Sequence, residues 1–245
     1  MFRIIPSLLL SNKKLVKGKN FSNYINAGNP VATISALEHQ TADEILLIDL
    51  DAYKLKTEPD INTLKKIAEI SSTPITFGGG VDNFKLSKRI LTNGADKVYI
   101  NTALFHNKGL IDEIALCFGN QSIVGGINLI KKNNKYILAE DKSQKINPIH
   151  YAKELENRGI GELKVTYVNL EGTKLGLELD YSKKILYEMN IPVIFEGGIG
   201  KLEHLLECYK INISSVALGT LIIFSDYHII KIKQYLKNEN CVVRI

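Results

Sequence analysis

Short runs of β-branched and aliphatic residues recur along the chain, at 3–9, 44–50, 74–77, 97–100, 122–127, 162–167, 192–195 and 215–218. Between them apolar positions return every three or four residues, the helical period. The helix starts are punctuated: Asn29-Pro30 and Asn147-Pro148 set a capping amide before proline, and Asp60, Asp82 and Asp180 are further N-cap candidates. Gly94, Gly119 and Gly159 stand where a left-handed C-cap would stop the preceding helix. Strict alternation of strand and helix implies parallel strands joined by right-handed crossovers. Eight such units in 245 residues predict an α/β chain of the closed (β/α)8 TIM-barrel class, one domain over residues 1–245. An open doubly wound sheet is the alternative.

A half-chain repeat separates the two. Pro192-Val-Ile-Phe-Glu196-Gly197-Gly198 lies 118 residues after Pro74-Ile-Thr-Phe-Gly78-Gly79-Gly80, and the same offset carries Asn101-Thr102 onto Gly219-Thr220. It also carries 44–49 onto 162–167. Aligned blocks at one offset predict a barrel of two homologous halves. One irregularity follows the fifth strand: 131–140 reads as a polar hairpin over the barrel mouth. Lys13, Lys14, Lys17 and Lys19 are expected to crowd one loop.

Composition narrows the classes. Hydrophobic residues make up 45% and charged residues 23%, an ordinary globular balance. The net charge of +5 suits phosphorylated small molecules and does not call for nucleic acid. Cys117, Cys208 and Cys241 are too dispersed for a disulfide framework and fit reduced thiols in the cytoplasm. The opening Met1-Phe-Arg-Ile-Ile-Pro6 is a poor signal peptide, and no run suits a membrane span. The five histidines share no metal-ligand spacing, and neither metal nor cofactor is expected. Lys231, Lys233 and Lys237 read as a solvated helix face.

Barrel chemistry sits at the carboxyl ends of the strands. There Gly80, Asn101 and Thr102 form one candidate anion site, and Gly172, Gly198, Gly219 and Thr220 a second. Glycine amides and threonine hydroxyls are phosphate donors, and two such sites suit a substrate phosphorylated at both ends. The plainer alternative is that the glycines only make tight turns.

Arg3-Ile-Ile-Pro, Val16-Lys17-Gly18, Gly78-Gly79-Gly80-Val81, the segment 94–102, Gly172-Thr-Lys174 and Gly197-Gly198-Ile-Gly200 together resemble the cyclase subunit of imidazole glycerol phosphate synthase, the HisF-like family. The resemblance implies a barrel that receives ammonia from a glutaminase subunit and uses it on a bis-phosphorylated substrate. It also implies two catalytic aspartates. Their positions here hold Leu9 and Asn128, neither of which transfers protons. Asp49 and Asp51 alternate with Leu50 and are possible substitutes, unless they only order Lys17 and the first loop. Glu171 stands where the family has aspartate.

Arg3, Glu44, Lys97 and Glu162 match, in type and place, the four charges that close the family's barrel floor as an ammonia gate. Asp96 matches a residue at the glutaminase interface, at the N-terminal face of the barrel. A chain without the aspartates but with the gate is expected to conduct ammonia toward a third enzyme. A sugar amidotransferase acting on a surface polysaccharide is the expected destination. A working cyclase of histidine biosynthesis and a purely structural partner are the alternatives.

Overall fold

The computed structural model describes residues 1–107 and 109–244. Its strands are β1 (Arg3–Ser11), β2 (Lys14–Lys19), β3 (Ser22–Gly28), β4 (Ile45–Asp49), β5 (Ile75–Gly78), β6 (Lys97–Ile100), β7 (Ile123–Lys132), β8 (Lys135–Leu138), β9 (Glu162–Tyr167), β10 (Val193–Glu196) and β11 (Ser215–Leu218). Eight of them, β1, β4, β5, β6, β7, β9, β10 and β11, pair in parallel, and β11 returns to β1 from Arg3↔Ser215 to Pro6↔Leu218. The closed (β/α)8 barrel read from the sequence is what the chain forms.

Helices α1 (Pro30–His39), α2 (Leu50–Leu55), α3 (Ile61–Ala68), α4 (Phe84–Leu91), α5 (Leu110–Phe118), α6 (Pro148–Arg158), α7 (Leu179–Glu188), α8 (Leu202–Lys210), α9 (Thr220–Ile223) and α10 (Ile229–Asn238) alternate with the strands. Asn29, Asp60 and Asn147 cap α1, α3 and α6 through their side chains. At α4 the cap is Asn83, one residue past Asp82, and Asp180 lies within the first turn of α7, whose N-cap is Glu178.

Strand residues alternate between two apolar compartments. Outward ones such as Ile4, Phe77, Leu163 and Val216 pack beneath the helices with Ile34, Leu64, Leu155 and Ile232. Inward ones, Ile5, Leu46, Tyr99, Val124, Ile194 and Ala217, fill the barrel itself. Burying each large aliphatic side chain contributes about 1.5–3 kcal/mol, so the wall is held from both sides.

The half-chain repeat is present in the backbone. Gly79 and Gly197 take φ of +118° and +120°, and Asn101 and Gly219 take φ, ψ of −127°, −89° and −101°, −79°. At Gly79 the requirement is strict, because a Cβ would lie 2.1 Å from the Asp49 carbonyl oxygen.

Three expectations need correction. The first lysine-rich segment is an antiparallel hairpin, β2 against β3, rather than a loop, and Lys17 is buried in it. Asp49 and Asp51 do not share a strand face: Asp49 accepts from the amides of Asp51 and Ala52 and so starts α2 at Leu50. Lys233 is 2% exposed rather than solvated. It binds Asp43 at 2.8 Å, beside Arg244 at 3.1 Å and the amide of Ile4.

Candidate functional site

At the amino ends of the strands, Arg3, Glu44, Lys97 and Glu162 converge. Arg3 reaches Glu44 at 3.3 Å and Glu162 at 3.1 Å, while Lys97 reaches the same two at 2.8 and 2.9 Å. Positive and negative groups alternate around a closed ring. Thr76 and Ser215 complete it, one donating to Glu44 and the other accepting from Arg3 Nε. Four groups drawn from four strands meet only because the barrel closes. Asp96, next to Lys97, is exposed on this end and accepts from the Ile75 amide at 2.8 Å.

Above the ring and its apolar layer the interior turns polar again. Lys164, 2% exposed, donates to Glu196 and to Thr166 Oγ1, and its ammonium lies 5.3 Å from the Tyr99 ring centroid. Burial pushes Lys164 down, but Glu196 and Tyr99 outweigh it and hold the ammonium above its ordinary value. Burial likewise pushes Glu196 up, and Lys164 and Lys17 outweigh it, leaving the carboxyl below the usual range. Each shift favours the charged form of its group.

Lys17 enters from β2 and pairs with Glu171 in the loop after β9. The pairing gives Glu171 a reason to be glutamate: its extra methylene reaches across the mouth to the hairpin. Lys17 is not held by Asp49 or Asp51. Asp49 is spent on the amides of Asp51, Ala52 and Asp60, and Asp51 on Ser11 Oγ and the Asn12 amide. Asp51 thus ties the end of β1 to α2, and Asp49 ties the end of β4 to the start of α2 and to Asp60.

At the mouth, Gly80 and Gly198 have φ of +62° and +89°. Thr102 opens a short 3-10 turn, Thr102–Phe105, and Thr220 opens α9, so each half presents a turn start beside its glycines. Gly172, at φ +75°, packs against the Gly18 carbonyl of the hairpin. Asn101 Oδ1 and Thr220 Oγ1 are buried without a protein hydrogen-bond partner. Leu9 pairs in register with Val16 of β2 and Ile48 of β4, and brings no polar atom to the site.

Asn128 has a neighbour the sequence did not reveal. Its Nδ2 donates to Glu140 Oε1 at 2.6 Å, and Glu140 Oε2 is buried with no partner. Burial pushes the Glu140 carboxyl above its ordinary value, opposed by its own backbone amide and by the Asn128 and Asn101 side chains nearby. Residues 131–140 form the expected hairpin, β7 against β8, with Asn133 and Asn134 at φ +49° and +60° in its two-residue turn. The amide of Ala139 bonds the Asn128 carbonyl at 2.8 Å, which sets Glu140 beside Asn128.

The fold and this arrangement define a (β/α)8 barrel with a glycine-framed polar mouth at the carboxyl ends of its strands and an ion-pair ring at the other end. The chain belongs to the histidine biosynthesis protein family, which matches residues 3–228. It is 37% identical over 248 residues to the imidazole glycerol phosphate synthase subunit HisF of Sulfurisphaera tokodaii, covering 99% of this chain and 98% of that one. Identity is 36% over 248 residues to the same subunit of Sulfolobus acidocaldarius and 35% over 249 residues to that of Clostridium botulinum, with the same coverage. These names favour the cyclase alternative over sugar amidation. Among the described residues no helix is long and apolar enough to cross a membrane.

Proposed function

We propose that this chain is the ammonia-using barrel subunit of a glutamine-dependent synthase of the imidazole glycerol phosphate type. A glutaminase docks over Asp96 and the ring, ammonia enters between Arg3, Glu44, Lys97 and Glu162, and a bis-phosphorylated substrate occupies the mouth. One phosphate sits at Gly80, Asn101 and Thr102, the other at Gly172, Gly198, Gly219 and Thr220. The closed ring carries the reading. Four charges that neutralise one another need no partner to satisfy them, yet 12–21% of the Arg3, Lys97 and Glu162 side chains remains accessible at the barrel end. The buried Lys164 ammonium supports it too, since a fixed cation repels ammonium and is indifferent to neutral ammonia. The orphaned Thr220 hydroxyl is a donor that a phosphate would engage directly, and the orphaned Asn101 Oδ1 is an acceptor that such a ligand would reach through water. All three cysteines are unpaired, as a reducing cytoplasm allows.

The test is product formation from the bis-phosphorylated cyclase substrate with ammonium, and then with glutamine and the cognate glutaminase. Cyclised product from both nitrogen sources is expected, with Lys97→Met lowering only the glutamine-driven rate. A second reading is favoured by Leu9: the barrel conducts ammonia to a third enzyme, such as one that amidates a surface-polysaccharide sugar. Absence of product with ammonium, alongside intact glutaminase binding, would replace the first reading with the second.

A further inference from the structure

Leu9 and Asn128 leave the two positions expected to carry protons without a titratable group, and the carboxylates singled out as substitutes, Asp49 and Asp51, are committed to backbone amides. The hairpin supplies another. Glu140 is anchored through one oxygen, with Asn128 Nδ2 at 2.6 Å from Oε1, while Oε2 is buried without a partner. A buried carboxylate oxygen with no donor is costly, and a proton on it turns an unsatisfied acceptor into a donor. A second buried acceptor without a donor, Asn101 Oδ1, belongs to the same corner, although the Asn101 side chain works against the rise that burial gives the Glu140 carboxyl.

We propose that Glu140 is the proton-transferring residue of the barrel mouth, protonated at rest, with Asn128 as its positioning residue. The inference deepens the cyclase reading of the same site. It gives the amide at position 128 a physical reason: aspartate there would set two carboxylates within hydrogen-bond reach of each other, whereas asparagine donates to one. Proton transfer moves from the strand to the hairpin that pairs with it. In the step, the Oε2–H bond breaks as the proton passes to a basic oxygen or nitrogen of the substrate. The electron pair stays on Glu140, and the resulting carboxylate keeps the Asn128 bond until a later proton returns. Titratable groups that feel Glu140 include the phenols of Tyr99 on β6 and Tyr151 on α6. Burial pushes both phenols up, so neither ionises in the range where Glu140 works.

The experiment pairs a direct titration with turnover. Carbon-13 NMR of glutamate-labelled protein should show one carboxyl titrating above the ordinary glutamate range, missing from Glu140→Gln. With the bis-phosphorylated cyclase substrate and ammonium, Glu140→Gln should lower turnover about 100-fold or more with KM nearly unchanged. It should also remove the basic limb of the pH profile, and Glu140→Asp should restore part of the rate. A Glu140 carboxyl with ordinary titration, or full turnover in Glu140→Gln, overturns the inference. If the native protein makes no product, the cyclase reading fails by itself. The NMR titration then decides on Glu140, a raised carboxyl supporting the held proton and an ordinary one refuting it.

Discussion

Replacing Lys164 with methionine leaves Glu196 as a carboxylate inside the barrel with its main partner gone. Both side chains are almost wholly enclosed, at 2% and 11% exposure, and Thr166 Oγ1 can supply only one hydrogen bond in compensation. Breaking a buried pair from one side costs about 3–5 kcal/mol, whereas replacing both partners with apolar groups of similar volume is often neutral. For a chain of this size that is a fall in Tm of about 6–20 °C for the single variant. Lys164→Met combined with Glu196→Met should recover most of the loss. Urea unfolding followed by circular dichroism measures both.

The pH dependence supplies a second check. In the native protein the Glu196 carboxyl is held low because Lys164 and Lys17 outweigh burial. Its contribution to stability is therefore present above the ordinary glutamate pKa and lost as pH falls through the folded value. With Lys164 gone, burial leads and the carboxyl rises. The folded state then holds the proton more tightly than the unfolded chain, and stability is lost as pH rises. The deficit of the single variant should shrink between pH 8 and pH 5. A loss below 1 kcal/mol at pH 7, or a double variant no better than the single, would refute the buried-charge argument.

Other expectations follow from the same geometry. Gly79→Ala should cost roughly 1–3 kcal/mol for the backbone conformation alone, with further loss from contact with the Asp49 carbonyl. Gly109→Ala, which meets no atom within 4 Å, should leave Tm nearly unchanged. Lys233→Met should cost about 3 kcal/mol in urea titrations, the low end for a broken buried pair, because Arg244 stays on Asp43. Burial holds His204 below its ordinary value, aided by Lys201 and opposed by Glu207 and Glu203, and its Nδ1 accepts from the Gly200 amide. Its contribution is present above the unfolded pKa of about 6.5 and lost as pH falls through the folded value. His204→Gln should flatten stability across that window.

The barrel was legible because each strand ends in an unmistakable break. Glycines follow β5 and β10, and Asn-Pro pairs open α1 and α6, so local chemistry and global topology agree there. The lysine-rich hairpin was not legible. Its partners in burial, Lys17 with Glu171, are separated by most of the chain, and a lysine destined for an ion pair looks like one bound for solvent. Lys233 misled for the same reason, its acceptor being Asp43 on the far side of the barrel sequence. Asp49 reads as an alternating strand residue until its side chain is seen capping α2. Glu140 was within reach: a two-residue turn at Asn133-Asn134 pairs Leu129 with Leu138, and counting on across that register puts residue 139 opposite residue 128, with residue 140 next to it.

Two hairpins, β2 with β3 and β7 with β8, lean over an otherwise regular barrel and bring Lys17 and Glu140 to it. Side chains borne on such arms can be exchanged without repacking the wall, since a hairpin answers to its own turn and register more than to the layers beneath. A scaffold built this way is retooled from its rim, and descendants with different chemistry should diverge there first while the staves stay recognisably alike.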